Sequence, residues 1–120
     1  MSQIPENKRR HVRVPTNLAY RFVVENQEYV GQVGNISLSG AFLSAPNPPL
    51  NPSHLCQSGI LQICLHHEAL TLKCDIIYAA TIEGTFPVGV GVCFSETDAP
   101  TQQSIKALEV ALGLKSHPPH

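Results

Sequence analysis

Four of the chain's eight Lys and Arg residues, Lys8, Arg9, Arg10 and Arg13, fall in one stretch, NKRRHVRVP. Arg9 and Arg13 stand four apart, and Pro15 follows just before the first extended segment. In an extended or loosely turned chain, two guanidiniums at that spacing can close on one polyanion from different directions. A guanidinium is a planar fork that binds phosphate oxygens in pairs, stacks on flat rings and matches the O6 and N7 acceptors of guanine. Two of them suit a guanine nucleotide better than two lysines would. Taken only as a charge run, the same stretch reads as a solvated tail. Adjacent residues of an extended chain face opposite ways, so Arg10 has solvent as an equal alternative to a ligand.

A second polar pattern, NISLSG, spans Asn35 to Gly40. Asn35 offers both a donor and an acceptor, Ser37 adds an adaptable hydroxyl, and Gly40 can adopt positive φ. By turn chemistry alone this is an ordinary strand-ending turn. Nothing within either pattern by itself requires a ligand.

Composition narrows the choice of chemistry. The net charge is -1 and charged residues make up 14% of the 120, so no global basic field exists to drive non-specific nucleic-acid binding. The other cations, Arg21, Lys73, Lys106 and Lys115, are scattered singly. Aromatics interleaved with basic residues are too few for a single-strand-binding barrel, and no nucleic-acid partner is expected. The chain has no nucleophile elbow, P-loop or HExxH, and carboxylates such as Asp75 and Glu83 are isolated, so a binding module is more economical than an enzyme. His54, His66 and His67 lie near Cys56 and Cys64 without CxxC or HxxxH spacing, so no metal site is expected. Cys56, Cys64, Cys74 and Cys93 are expected as small buried hydrophobes in a reducing cytosol. No apolar run of about 18 residues marks a membrane span, and MSQIPENKRR lacks the apolar core of a secretory signal. The expectation is a cytoplasmic protein with no direct membrane insertion.

The elements that must position these residues are mostly strands. One domain fits the length. Leu18, Tyr20, Phe22 and Val24 alternate with polar or smaller residues, ENQE turns the chain, and YVGQVGNIS continues as the second strand of a hairpin, with Val30, Gly34 and Ile36 interleaved with Tyr29, Val33 and Asn35. GAFLSA is a third strand, and the proline-rich PNPPLNPSH is a loop. GILQICLHH and LTLKCDIIYAA form a further pair with the reversal at EA, the second aligning Leu70, Leu72, Cys74, Ile76 and Tyr78 on one face. FPVGVGVCF places Val88, Val90, Val92 and Phe94 opposite Gly89 and Gly91, which permit close backbone approach. Six short strands joined by hairpins predict an antiparallel barrel. After a cap at Thr97 or Asp98 and Pro100 in the first turn, Ile105, Leu108 and Leu112 predict one helix over a barrel opening, stopped by Gly113. The expected organisation is a flexible segment at 1–7, a domain at 8–113 and a tail at 114–120.

Taken together, the complete RxxxR of Arg9 to Arg13 and the complete NxSxxG of Asn35 to Gly40 resemble the signature of the PilZ domain. Gly91 to Phe94 is similar to that family's closing Gly-Val-x-Phe strand, and the resemblance runs from about Lys8 to Gly113. It implies a six-stranded antiparallel β-barrel with a C-terminal α-helix that binds the bacterial second messenger cyclic di-GMP on its outer face. By that resemblance Arg9 and Arg13 hold phosphates and guanine edges, Asn35 and Ser37 bind a guanine edge, and Gly40 allows the turn that presents them. Lys8 precedes the first arginine, a position that bears in the family on whether one or two ligands bind, and Lys8 and Arg10 are secondary candidates. The implied role is a receptor without cofactor or catalysis, relaying the ligand to a protein effector through ordering of the N-terminal arm. The alternative is an adaptor for pilus, flagellar, secretion or polysaccharide machinery with weak or no nucleotide binding.

Overall fold

The computed structural model describes residues 12–80 and 88–114. Seven strands and one helix follow one another as β1 (Val14–Pro15), β2 (Ala19–Val24), β3 (Gln27–Ile36), β4 (Gly40–Asn47), β5 (Ser58–Leu65), β6 (Glu68–Ala80), β7 (Gly89–Phe94) and α1 (Ala99–Leu112). The hydrogen-bonded order β3-β2-β5-β6-β7-β4 closes by a β4–β3 pairing, with every pair antiparallel. This is the expected six-stranded barrel with its C-terminal helix. Its interior is filled by the alternating residues of each strand, Tyr20, Phe22 and Val24 from β2, Leu61, Ile63 and Leu65 from β5, and Val90, Val92 and Phe94 from β7.

The seventh strand was not expected. β2 pairs with Gln27 to Gln32 of β3, and beyond it β1 occupies the rest of that same edge, with Val14 opposite Ile36 and Pro15 opposite Asn35. Thr16 N donating to Gly34 O (3.0 Å) and Val33 N donating to Leu18 O (2.8 Å) carry the pairing across the gap. A two-residue strand has no alternation to read, and a proline is tolerated because it lies on an edge.

Three local readings change. The β5–β6 reversal is at His66–His67, with φ of 50° and 70°, and Glu68 already pairs with Leu65, so the turn is not at EA. Two consecutive positive φ values give the hairpin twist that flanking strands prefer. β4 extends through Pro46 to Asn47, two residues into the proline-rich stretch, past a register shift that relieves the ladder of a donor there. Cys56 and Cys64 are exposed, whereas Cys74 is buried, Cys93 is half-buried, and all four are free thiols. Cys64 sits between the inward-facing Ile63 and Leu65, and strand parity, not apolar neighbours in sequence, decides its side.

The proline-rich segment is tied down by a buried histidine. His54 Nδ1 lies 2.8 Å from the Tyr29 hydroxyl and Nε2 lies 3.1 Å from Glu25 Oε1, while Asn51 N donates to the same hydroxyl at 3.0 Å. With its oxygen accepting from Asn51, the Tyr29 hydroxyl donates to Nδ1, and Nε2–H donates to Glu25. Both ring nitrogens are thereby satisfied, the requirement for burying an imidazole.

The helix starts and stops on the expected residues. Asp98 caps it, Pro100 lies in the first turn, and Gly113 closes it at φ 69°. Ile105 and Leu108 join the barrel's apolar cluster, as does Leu114 just past the expected domain end at 113. Two hydroxyls dock the helix. β7 pairs with β6 only from Cys74 onward, so the edge before it would be open. Thr101 Oγ1 accepts from Lys73 N at 2.7 Å, and Ser104 Oγ donates to Thr71 O at 2.7 Å, completing that edge.

Thr101 Oγ1 also donates to Asp98 Oδ2 at 2.6 Å, and this hydrogen bond is the main reason the Asp98 carboxyl is held below its usual range. A depressed folded-state value means that the cap's contribution is present above the ordinary carboxylate range and is lost as pH falls through the folded value. Thr101→Val is expected to destabilise the fold by about 1–3 kcal/mol, because the part-buried Lys73 N–H is left without its partner. It should also raise the Asp98 value, read from urea midpoints and carboxyl NMR titration. An unchanged midpoint would contradict the docking role.

Candidate functional site

The outward position of Asn35 is produced by one glycine. Tyr29 and Val33 are buried, and uninterrupted alternation along β3 would carry Asn35 inward after them. Instead Val33 pairs with Leu43 and Asn35 with Phe42, leaving Gly34 as an extra residue. This bulge switches the phase, so Ile36 is fully buried and Asn35 is turned to the barrel's outer face, half-buried. A side chain at residue 34 would collide with Ser44 Oγ.

β1 then delivers the arginine. With Pro15 opposite Asn35, Arg13 lies exposed beside it, and Arg13 Nη1 donates to Asn35 Oδ1 at a long 3.4 Å. Among the described residues no carboxylate pairs with Arg13. Its charge is therefore available to an anion on that face. Arg21, also exposed on the barrel wall, is by contrast neutralised in place by Glu28 at 3.0 Å.

The turn after Asn35 is held from within. Ser37 N donates to Gly40 O at 2.8 Å, and Ser37 Oγ accepts from the amides of Ser39 (3.2 Å) and Gly40 (3.3 Å). Ser37 is buried, while Ser39 is exposed with its hydroxyl 3.2 Å from that of Ser37. In this arrangement Ser37 shapes the turn, and Ser39 is the hydroxyl that faces outward. Ser39 was not among the expected site residues, because NxSxxG spacing does not tell which serine is consumed by the turn.

Gly40 is required for a different reason than expected. The left-handed glycine among the described residues is Gly113, so Gly40 does not supply positive φ. It opens β4 opposite Cys93, and a Cβ there would run into the carbonyl of Val92 on β7. Close approach of two strands, rather than the turn's backbone, excludes a side chain.

Arg13, Asn35, Ser37 and Gly40 are thus gathered at one end of the β1–β3–β4 face, whereas Lys8, Arg9 and Arg10 lie outside the described residues. A groove of about 320 Å³ lies on the other side of the turn, between Leu38, Ser39 and α1. Glu96 and Glu109 line it with the single cation Lys106. Two carboxylates against one ammonium disfavour a phosphodiester there, which leaves the Arg13 face as the better anion site. Among the described residues no three potential metal ligands cluster, and no helix is long and apolar enough to cross a membrane.

The family model for the PilZ domain matches residues 7–109, a span that includes both arginine positions and the whole barrel. The fold is similar to the PilZ domain of CeSA from a cellulose-synthesizing bacterium, with a TM-score of 0.67 and 17% identity over 85% of this chain and 98% of that one. It is also similar to the Bacillus subtilis inhibitor of motility, with a TM-score of 0.61 and 18% identity over 87% of this chain and 50% of that one. No curated protein matches the chain.

Proposed function

The chain belongs to the PilZ domain family, and from that premise we propose that it is a bacterial cytoplasmic receptor for cyclic di-GMP, acting through a protein effector rather than by catalysis. The observation that carries this reading is the Arg13–Asn35 contact, which joins the two halves of the family's signature on one outer face. Arg9 and Arg13 bind the phosphates and guanine edges. Asn35 reads a guanine edge with its amide, and the Ser37–Gly40 turn holds it in place. Lys8 and Arg10 are secondary candidates for the same ligand, with solvent the alternative for Arg10, and Lys8 bears on whether one or two ligands bind.

The relay is placed at β1. Among the described residues β1 meets β3 through two residue pairs, so the basic run leads into the barrel through a short pairing. Neutralising Arg9 and Arg13 with a phosphodiester ties that run to the Asn35 face and changes the surface offered to a partner, a binding-coupled ordering of one segment. Calorimetric titration with cyclic di-GMP, linear pGpG and a short oligonucleotide tests the ligand. Binding of the cyclic dinucleotide alone supports the receptor reading, and binding of none supports an adaptor that works through protein contacts. Amide exchange at residues 8–13 is expected to slow with ligand, and unchanged exchange would refute the relay.

A further inference from the structure

The candidate site does not end at Asn35. Across the outer face Pro15 pairs with Asn35, Asn35 with Phe42, Phe42 with Gly91, and Gly91 with Tyr78, so one row crosses five strands. Neighbouring strands lie about 4.8 Å apart, which places Phe42 directly beside Asn35 and Tyr78 two steps further on. Tyr78 is on this face because of a second bulge. Ile76 pairs with Val92 and Tyr78 with Gly91, leaving Ile77 as the extra residue and throwing Tyr78 out of phase with the buried Cys74 and Ile76.

The two rings lie near-parallel to one another. Their centroids are 6.4 Å apart and their planes 26° from parallel. They cover glycines: a Cβ on Gly89 would meet Phe42, and one on Gly91 would meet Tyr78. Tyr78 remains 40% exposed, and its hydroxyl has no hydrogen bond among those recorded for the described residues. Laid over bare backbone, the two rings add apolar ring surface to the outer face in the same cross-strand row as Asn35, with Phe42 next to it.

We propose that Phe42 and Tyr78 form the floor on which a purine base of the ligand stacks while its edge is read by Asn35. The inference rests on the nucleotide-binding reading and deepens it by separating face from edge. Stacking on an aromatic floor accepts any purine, so the ring pair contributes affinity, and the selection of guanine falls to Asn35 and the arginines. The ligand is thereby a nucleotide with an accessible purine face, not phosphate alone.

The test uses cyclic di-GMP with the full chain and four variants, read by calorimetry and by the NMR signals of the aromatic protons. Tyr78→Phe should bind like the unmodified chain. Tyr78→Leu and Phe42→Leu keep apolar cover over the glycines but lose the ring, and each should bind about tenfold more weakly, equivalent to ~1.4 kcal/mol, within the range for a base on an aromatic side chain. In the unmodified chain the ring protons of both residues should move upfield with ligand, a readout that a merely structural role would not give and that does not depend on the leucine variants folding. Full affinity in both leucine variants, or unmoved ring protons, overturns the floor. If Arg13→Ala abolishes binding in that case, the nucleotide reading stands without it. If the unmodified chain binds no cyclic di-GMP, both fall.

Discussion

Arg13→Ala is expected to weaken cyclic di-GMP binding at least tenfold while leaving the unfolding midpoint unchanged. Removing a charge-assisted hydrogen bond costs about 1.5–3 kcal/mol, and ~1.4 kcal/mol is tenfold in affinity. The stability half of the expectation comes from geometry. Arg13 is exposed, and its one recorded side-chain bond, to Asn35, is 3.4 Å long. Arg13→Lys should recover part of the loss, because it restores the charge but not the fork that grips two acceptors. Arg9→Ala should behave like Arg13→Ala, since both arginines belong to the same spacing. Calorimetry with a thermal melt on each variant decides the matter, and unaltered affinity in both alanine variants would remove the arginines from the site.

The second large effect is on folding. Gly40→Ala should destabilise the protein by about 1–3 kcal/mol, the usual cost of forcing a methyl into closely packed structure. The obstacle is the Val92 carbonyl, a backbone atom that cannot move aside without shifting β7. Gly40→Asn separates this cause from the turn explanation. Asparagine tolerates left-handed backbone better than alanine does, so a conformational requirement would be relieved by it. Steric exclusion predicts that Gly40→Asn is at least as damaging as Gly40→Ala. Urea denaturation of the two variants gives the order, and a more stable asparagine variant would contradict the close-approach account.

The strand faces, the helix and its caps could be read from sequence because alternation and capping are local. Tyr20, Phe22 and Val24, or Asp98 and Gly113, carry their signal within a few residues. What could not be read depends on partners far along the chain. The bulges at Gly34 and Ile77 each exist because one strand fits another with an extra residue, and each reverses the side on which the following residues fall. Asn35 reached the outer face by the first, and Tyr78 left the core by the second. A one-residue phase change of this kind inverts every later assignment on the strand. Likewise β1 becomes a strand only because the end of β3 outruns β2, and Thr101 becomes indispensable only because β7 leaves part of β6 uncovered.

The candidate site was legible as two motifs and not as a place. RxxxR and NxSxxG named Arg13, Asn35, Ser37 and Gly40, but the division of labour among them needed the turn's hydrogen bonds, which occupy Ser37 and expose Ser39. The reason for Gly40 needed the neighbouring strand.

The central claim is that cyclic di-GMP binds the outer face where β1 meets the end of β3. Mapping backbone amide shifts during titration with cyclic di-GMP tests it most directly. The expected result is a contiguous set of shifted amides at Arg13, Asn35 and Ser37 to Phe42, with the β5–β6 turn at His66–His67 unmoved. Shifts centred on the groove between Leu38 and Lys106, or no shifts at saturating ligand, would contradict it.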